Sequence, residues 1–247
     1  MIEGEMLLVV NAIRQASKFL LRDYFELENL QTSKQNTINF SQKSCTRILQ
    51  TLQKNLSKYY KTILFDSNEL ISTNFIGKAV LIETMDGFVN FTRSSPLFSI
   101  MVTIVSRKGD ELIAEKTVMQ FPALGEIYYT EKGKNAWLER DNLNIPGATR
   151  LRVSQIDNME GAIASTSIKL LDLAKSFQNL RVFESATYSL AQLIAGKLDV
   201  IIIQPTNMSL FGMQLFIESA AGMYQMNNNV MIASNQKIHD KIKHITN

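Results

Sequence analysis

Apolar side chains occupy every second position of residues 97–106, and this alternation constrains the fold more than any other feature of the chain. The alternating positions are Phe98, Ile100, Val102 and Ile104 on one face and Ser99, Met101, Thr103 and Val105 on the other. Because successive side chains of a strand point to opposite faces, a period of two predicts a β-strand. The Arg-Lys-Gly-Asp sequence at 107–110 predicts a tight turn, after which 111–120 returns as the partner strand. We therefore expect an antiparallel sheet at the centre of the chain.

Helices precede this predicted sheet and alternate with strands after it. Apolar periodicity predicts helices at 5–28 and 42–60, with a polar loop at 29–41 between them. Further strands are predicted at 62–65, 78–82, 125–130, 135–139 and 151–154, with a turn at 131–134. The rest of the chain predicts helices at 165–177, 185–195 and 211–221, strands at 180–183 and 198–203, and a last strand from 231 followed by a basic helix. This order predicts an α+β fold of alternating layers.

Composition is that of an ordinary globular protein. The chain has 247 residues, of which 45% are hydrophobic and 20% are charged, with a net charge of +3. We expect a single domain over 1–247, with an N-terminal half to about 145 and a C-terminal half from about 146. The single cysteine, Cys45, excludes an internal disulfide and a cysteine-rich zinc site.

The sequence also carries expectations about location. The first six residues lack the basic start of a signal peptide, and no apolar run approaches the roughly 20 residues of a membrane span. We therefore expect a cytoplasmic protein with no membrane span.

A long stretch without acidic residues covers the predicted second helix. From Asn29 to Phe65 there is no Asp or Glu, whereas six basic residues occur: Lys34, Lys43, Arg47, Lys54, Lys58 and Lys61. The stretch 43–61 is either a solvated helix face or a docking face for nucleic acid or an acidic protein. His239 and His244 are five residues apart, off one helical face, so we expect both to be exposed and neither to bind a metal.

Two acidic side chains follow a short apolar run that ends at Ile82. They are Glu83 and Asp86, and Gly87 comes directly after them. A strand that carries carboxylates to its own end can build a divalent-metal site, because carboxylate oxygens are hard ligands and a glycine lets the backbone approach a phosphate. The alternative interpretation is a pair of solvated acids at a strand end.

The chain resembles the inositol monophosphatase family, in particular its bacterial inositol-1-monophosphatase-like members. Residues 83–91 read Glu-Thr-Met-Asp-Gly-Phe-Val-Asn-Phe, where the family has Asp-Pro-hydrophobic-Asp-Gly-Thr-x-Asn-Phe. The stretches 125–137, 151–154, 185–199 and 218–222 also resemble the family, so the resemblance covers nearly all of the chain. It implies an αβαβα sandwich of five layers, a homodimer, and hydrolysis of small phosphate monoesters with Mg²⁺.

The resemblance also indicates which metal-site residues differ in this chain. Asp66 and Glu83 stand where the family has a glutamate and an aspartate, and Asp86 is retained, so all three are candidate, vestigial Mg²⁺ ligands. Phe88 replaces a threonine that helps to hold the attacking water. Ser209 stands at the position of another aspartate ligand, which is lost here.

The positions that would contact substrate differ as well. By resemblance these are Gly87, Glu184, Ser185 and Ala186, and Glu184 adds a charged side chain where the family has glycine. Ile202 falls where inositol-binding relatives place a glutamate that binds sugar hydroxyls.

These departures predict a degenerate catalytic site. Mg²⁺ requires near-octahedral oxygen ligands at about 2.1 Å, and a misplacement near 1 Å costs about 100-fold in rate. One hypothesis is a weak or inactive phosphatase kept for binding, with RNA or transcription machinery as the partner of the basic helix, because some bacterial family members act in transcription antitermination. The alternative is an active Mg²⁺-dependent phosphomonoesterase with an altered substrate.

Overall fold

A seven-stranded sheet forms the first of two β layers. The computed structural model describes residues 2–29, 34–109, 111–141 and 147–242. The strands of this sheet are β1 (Thr62–Leu64), β2 (Lys78–Asp86), β3 (Ser99–Lys108), β4 (Glu111–Phe121), β5 (Glu126–Glu131), β6 (Trp137–Arg140) and β7 (Thr149–Arg150). They lie in sequence order, with β1 parallel to β2 and the other neighbours antiparallel. The predicted antiparallel centre is confirmed.

A five-stranded sheet forms the second β layer. Its strands are β8 (Ile163–Thr166), β9 (Asn179–Val182), β10 (Val200–Ile203), β11 (Met223–Asn227) and β12 (Val230–Ser234). Their spatial order is β11-β12-β10-β8-β9, in which β8, β9 and β10 are parallel and β12 is antiparallel to both of its neighbours.

Helices fill the three remaining layers. They are α1 (Gly4–Asn29), α2 (Lys34–Leu56), α3 (Ser67–Ser72), α4 (Phe88–Phe91), α5 (Ala186–Ile194), α6 (Asn207–Ser219) and α7 (Gln236–Ile242), with short 3-10 helices at Pro122–Leu124 and Ile168–Ala174. Helices α1 and α2 cover one face of the first sheet, and α5 and α6 lie between the sheets. Helix α7 and the second 3-10 helix cover the outer face of the second sheet. The predicted αβαβα sandwich is confirmed.

The alternation in β3 separates two cores. Ile100, Val102 and Ile104 contribute to the apolar core beneath α1 and α2. The opposite face is buried as well, because α6 covers it. The hydroxyls of Thr103 and Thr117 on that face hydrogen bond to each other at 3.0 Å. A polar position in an alternating strand therefore marks the inner layer here and not the solvent.

Helix α2 begins at Lys34, so the prediction of a loop through residue 41 is wrong for the described part of that stretch. The positions that α2 buries include Thr37, Ser41 and Ser44, which hid the helical period. The Ser41 hydroxyl donates to the carbonyl of Thr37 at 2.7 Å, and the Ser44 hydroxyl donates to that of Phe40 at 3.1 Å. These bonds satisfy the hydroxyls, so hydroxyl-bearing residues can replace apolar ones on the buried face.

Three other sequence predictions are wrong. The helix predicted at 165–177 is strand β8 followed by the second 3-10 helix, and β11 was not predicted. Residues 151–154 do not form a strand, although their buried side chains alternate as in one. His239 is buried and not exposed, because α7 packs against the second sheet. The Nδ1 atom of His239 lies 3.3 Å from the Ser234 hydroxyl.

Some predictions fall outside the described residues. They concern Asp110, His244 and the boundary near 145 and 146, so the division into two halves stays a prediction. Among the described helices, none combines the length and apolarity needed to cross a membrane.

Candidate functional site

Strand β2 carries both acids of the motif, with an irregular register against β3 between Glu83 and Asp86. Gly87 follows at a positive φ of 75° and starts α4. A Cβ at Gly87 would lie 2.2 Å from the carbonyl oxygen of Leu97, so any other residue would clash with the backbone. The glycine therefore serves the turn, and Phe88 after it is half-buried against the core beneath α1 and α2.

Asp86 is bound to the beginning of α5. Its Oδ2 accepts from the Ser185 hydroxyl at 2.5 Å, from the Thr187 hydroxyl at 2.5 Å and from the Thr187 backbone N–H at 3.0 Å. Ser185 is also the N-cap residue of α5, because its side chain accepts from the Tyr188 N–H at 3.1 Å. A carboxylate at a helix N-terminus is stabilised by the unpaired N–H groups and by the helix dipole.

The loop before α5 is fixed to the turn after β2. The Asn90 side chain donates to the carbonyl oxygens of Leu97 and Phe183, at 2.9 and 2.8 Å. Glu184 has a positive φ of 50°, and its Oε1 accepts from the Ile168 N–H at 2.9 Å. The Glu184 carboxylate therefore caps the 3-10 helix Ile168–Ala174, where the sequence predicted a substrate contact.

Glu83 meets the beginning of α6 in a similar way. The Thr206 hydroxyl donates to Glu83 Oε2 and also accepts from the Ser209 N–H at 3.1 Å, so it is the N-cap group of α6. The Ser209 hydroxyl lies 3.0 Å from that of Thr206 and is buried. Burial raises the pKa of Glu83 to about 7, the Thr206 bond opposes this shift, and the charge of Asp86 adds to it.

Asp66 is used locally. It is the N-cap residue of α3, and its Oδ1 accepts from the Asn68 N–H at 2.7 Å. Glu69 accepts from the Phe65 N–H at 3.3 Å, close to the reciprocal pattern of a capping box. The exposed Asp66 side chain thus caps the helix that it precedes.

A magnesium site requires several convergent oxygen ligands. Across the described ranges, no three His, Cys, Asp and Glu side chains are grouped as metal ligands. One oxygen each of Glu83, Asp86 and Asp66 accepts hydrogen bonds from the protein, and Ser209 supplies no carboxylate. The donor set at the end of β2 therefore does not fit the family's metal cluster.

A cavity of about 210 Å³ adjoins Asp86 and the start of α5. Its lining residues are Asp86, Thr166, Ser167, Lys169, Glu184, Ser185, Ala186, Ser189, Ile203 and Gln204. Three of the predicted substrate contacts, Glu184, Ser185 and Ala186, therefore meet at one cavity, whereas Gly87 is not among its lining residues. Ile202 belongs to the core of the outer layer, and Ile203 faces the cavity instead.

Two residues of this network were not predicted from the sequence, Thr187 and Thr206. The available signal was a Ser or Thr before each helix, which marks Ser185 before α5 and Thr206 before α6. Thr187 lies inside α5 and has no such signal. That signal identifies the caps but not the carboxylates, because Asp86 and Glu83 reach these helices through space.

Comparison with known proteins gives a consistent result. The chain is 25% identical over 206 residues to an inositol-1-monophosphatase of Caulobacter vibrioides, covering 77% of each protein. It is 21% identical to Nus factor SuhB of Buchnera aphidicola, over 74% of this chain and 64% of that protein. Among solved structures, extragenic suppressor protein SuhB of Bartonella henselae superimposes with a TM-score of 0.78 at 20% identity, over 99% of this chain and 98% of that one.

No family model matches the chain. The relatives nevertheless share most of its length, and the layered fold is the one that the motif at 83–91 implied. In sequence the chain is similar to inositol-1-monophosphatases, and in fold it is similar to the SuhB structure.

Proposed function

We propose that this chain is a phosphatase-fold protein whose metal-dependent catalysis is weak or lost and which is kept for binding. The proposal rests on the hydrogen bonds that the three acidic side chains already make to the beginnings of helices. Asp86 holds the start of α5, Glu83 is bound to the cap of α6, and Asp66 caps α3. A metal ion would have to compete with these hydrogen bonds for the oxygens of only three carboxylates.

The surroundings of the acids support the same proposal. Phe88 packs its ring against the core at the position where a water-holding hydroxyl is expected. Loss of one stabilising donor costs about 10²–10³-fold in rate, and loss of a ligand carboxylate adds to that. Vestigial binding of one cation by Glu83 and Asp86 is compatible with this proposal, whereas rapid turnover is not.

The second candidate is an active Mg²⁺-dependent phosphomonoesterase with an altered substrate. It is favoured by the retention of Glu83 and Asp86 on one strand end beside a small cavity, and by relatives that are named inositol-1-monophosphatases. Its substrate would sit against Glu184, Ser185 and Ala186, where Lys169 is the cationic side chain of the lining.

The two candidates differ in Mg²⁺-dependent hydrolysis of a panel of phosphate monoesters. We expect the purified protein and its Glu83→Gln variant to show the same rate, so that no turnover depends on Glu83. Glu83→Gln is the matched variant because glutamine keeps the shape of the glutamate side chain. A rate above about 0.1 s⁻¹ that disappears in Glu83→Gln would establish the second candidate instead, since typical enzymes turn over at roughly 1–10³ s⁻¹. Thermal melts with and without Mg²⁺ report separately on binding of the ion.

For the binding role, we propose RNA or the transcription machinery as the partner of the basic stretch 43–61, which consists of the later part of α2 and the residues that follow its end at Leu56. The side chains of Lys43, Lys54, Lys58 and Lys61 are exposed, and none has an ion-pair partner among the described residues. Lys43 and Lys54 are eleven residues apart, about three helical turns, and therefore share a face of α2. The Buchnera relative is named a Nus factor, which favours a partner of this class.

Arg47 has a different task from the lysines. It pairs at 2.5 Å with Asp23 of α1, whose side chain is only 1% exposed. Arg47 therefore joins the two helices, and its substitution would confuse docking with folding.

The docking test uses the exposed lysines alone. Lys43→Glu with Lys54→Glu should abolish RNA binding in a gel-shift titration, whereas Arg93→Glu with Arg181→Glu, at two exposed positions outside α2, should retain it. Equal loss in both double variants would indicate attraction to net charge and would contradict a docking face.

Homodimer formation and a cytoplasmic location also belong to the proposal. Exposed apolar side chains at Val89, Ile168 and Val182 lie on segments that hydrogen bonds bring together, and this favours a second copy as their cover. Light scattering after size exclusion should give twice the 28.0 kDa chain mass. Val182→Lys should shift that mass to the monomer value.

A further inference from the structure

A second cavity, of about 620 Å³, shares no lining residue with the cavity beside Asp86. It lies where the turn between β5 and β6, the segment after β7 and the end of α6 meet. Its lining residues are Lys132, Gly133, Lys134, Asn135, Arg150, Leu151, Arg152, Leu215, Glu218, Ser219, Ala220 and Ala221. Four of these side chains are cationic and one is acidic, so the cavity is strongly basic.

Most of this positive charge is uncompensated. Lys132, Arg150 and Arg152 are exposed, and in the described part of the chain none of them has an ion-pair partner. Lys134 is different, because its Nζ lies 2.9 Å from Glu131 Oε2. Like charges around one concavity repel one another, and a bound anion removes that repulsion.

The end of α6 would oppose an anion, since the carboxyl end of a helix carries partial negative charge. Two of the backbone carbonyls there are already hydrogen bonded. The Ser219 oxygen accepts from the Ala136 N–H at 3.4 Å, and the Ala220 oxygen accepts from the Val153 N–H at 3.0 Å. The Glu218 carboxylate accepts from the Tyr224 hydroxyl at 3.3 Å, and it is outnumbered by the cations.

We propose that this cavity binds a small ligand that carries two or more phosphate groups. Arginine matches phosphate well, because its planar fork donates two parallel hydrogen bonds. The cations come from two separate segments, which suits several phosphates better than one. The volume lies within the roughly 300–1,000 Å³ of small-ligand sites, and no aromatic side chain among the described lining residues offers a stacking platform for a nucleic-acid base.

Inorganic triphosphate is the probe, titrated into the full chain by calorimetry at low salt. Arg150→Gln with Arg152→Gln should weaken binding about tenfold or more, because each arginine supplies a charged hydrogen bond. The matched control is Arg93→Gln with Arg181→Gln, which removes the same charge from two exposed arginines outside the cavity. Thermal melts of both variants verify that they fold.

Four results of the phosphate titrations would overturn the proposal. They are no heat of binding to the wild-type chain at about 1 mM triphosphate, unchanged affinity in the Arg150 and Arg152 variant, equal weakening in the control, and orthophosphate binding as tightly as triphosphate. A last titration uses a single-stranded RNA of roughly 10 nucleotides in place of triphosphate. If it binds more tightly than triphosphate and depends on the same two arginines, the site takes a nucleic-acid backbone and the small-ligand proposal fails.

Discussion

The Asp86 carboxylate is hydrogen bonded to a helix N-terminus at the position where the sequence motif predicts a metal ligand. The sequence makes it a candidate, vestigial metal ligand, because it stands beside a glycine in a phosphatase-like motif. In the structure its Oδ2 accepts three hydrogen bonds from Ser185 and Thr187. Thr187 also bonds to Ser99 of β3 at 2.7 Å, so the network joins the first sheet to the helix layer.

Asp86→Asn should therefore destabilise the protein even when no Mg²⁺ is present. The amide is a weaker acceptor than a carboxylate for hydroxyls and a helix N-terminus, so we expect a loss of about 1–3 kcal/mol in the free energy of unfolding. Urea titration followed by circular dichroism measures it. Asp172→Asn, at an exposed pair with Lys175, should leave the midpoint unchanged. An Asp86→Asn protein as stable as the wild type would show that the network contributes nothing.

Glu83 makes stability depend on pH in a predictable direction. Its pKa is raised from 4.5 to about 7, so between these values the folded protein holds a proton that the unfolded chain has released. The contribution to stability is complete below about pH 4.5 and is lost as the pH rises through 7. Glu83→Gln should therefore gain stability relative to the wild type between pH 5 and pH 8. A difference between the two proteins that is constant across this range would contradict the shift.

At the scale of elements, α6 approaches the first sheet closely because of one residue. A Cβ at Gly212 would lie 2.4 Å from Thr103 Oγ1 and 2.7 Å from Thr117 Oγ1. A glycine inside a helix usually weakens it. Here it allows the helix to pack directly against the hydroxyls of Thr103 on β3 and Thr117 on β4.

Gly212→Ala should cost stability although alanine favours a helix. The added methyl would force α6 away from the sheet, and overpacking of this kind costs about 1–3 kcal/mol. Gly161→Ala is the control, since nothing lies closer than 3.7 Å to its Cβ position. Chemical unfolding of both variants tests the comparison, and equal midpoints would rule out the close approach as a constraint.

At the scale of the whole molecule, the layered fold could be predicted because period-two strands and amphipathic helices leave a direct record in the sequence. The start of α2 could not, because its buried positions include Thr37 and Ser41. His239 was misjudged because its burial depends on packing between α7 and the second sheet. For the site, the acids were visible in the sequence but their partners were not, since the Asp86–Thr187 bond spans 101 residues. A sequence pattern reveals the period of a helix or strand, whereas the hydrogen-bond partner of a side chain depends on how the layers pack together.

Cys45 offers a single probe of how tightly these layers hold together. Burial raises the pKa of its thiol to about 11, the charge of Glu83 adds to the shift, and Thr84 opposes it. Relative to an ordinary thiol, the reactive thiolate at pH 8 should be about 100-fold rarer. We expect slow alkylation by iodoacetamide, at a rate that follows unfolding in urea titrations. A rate equal to that of a small free thiol in the absence of urea would contradict this prediction.

The bond from Asp86 to α5 bears on how such chains are interpreted. In a protein built this way, the acid that is most diagnostic of a phosphatase also fastens one β layer to the helices behind it. Selection for a folded chain alone would then suffice to keep that aspartate, long after turnover had ceased. The Asp-Gly pair therefore has an architectural role in this chain that does not depend on catalysis.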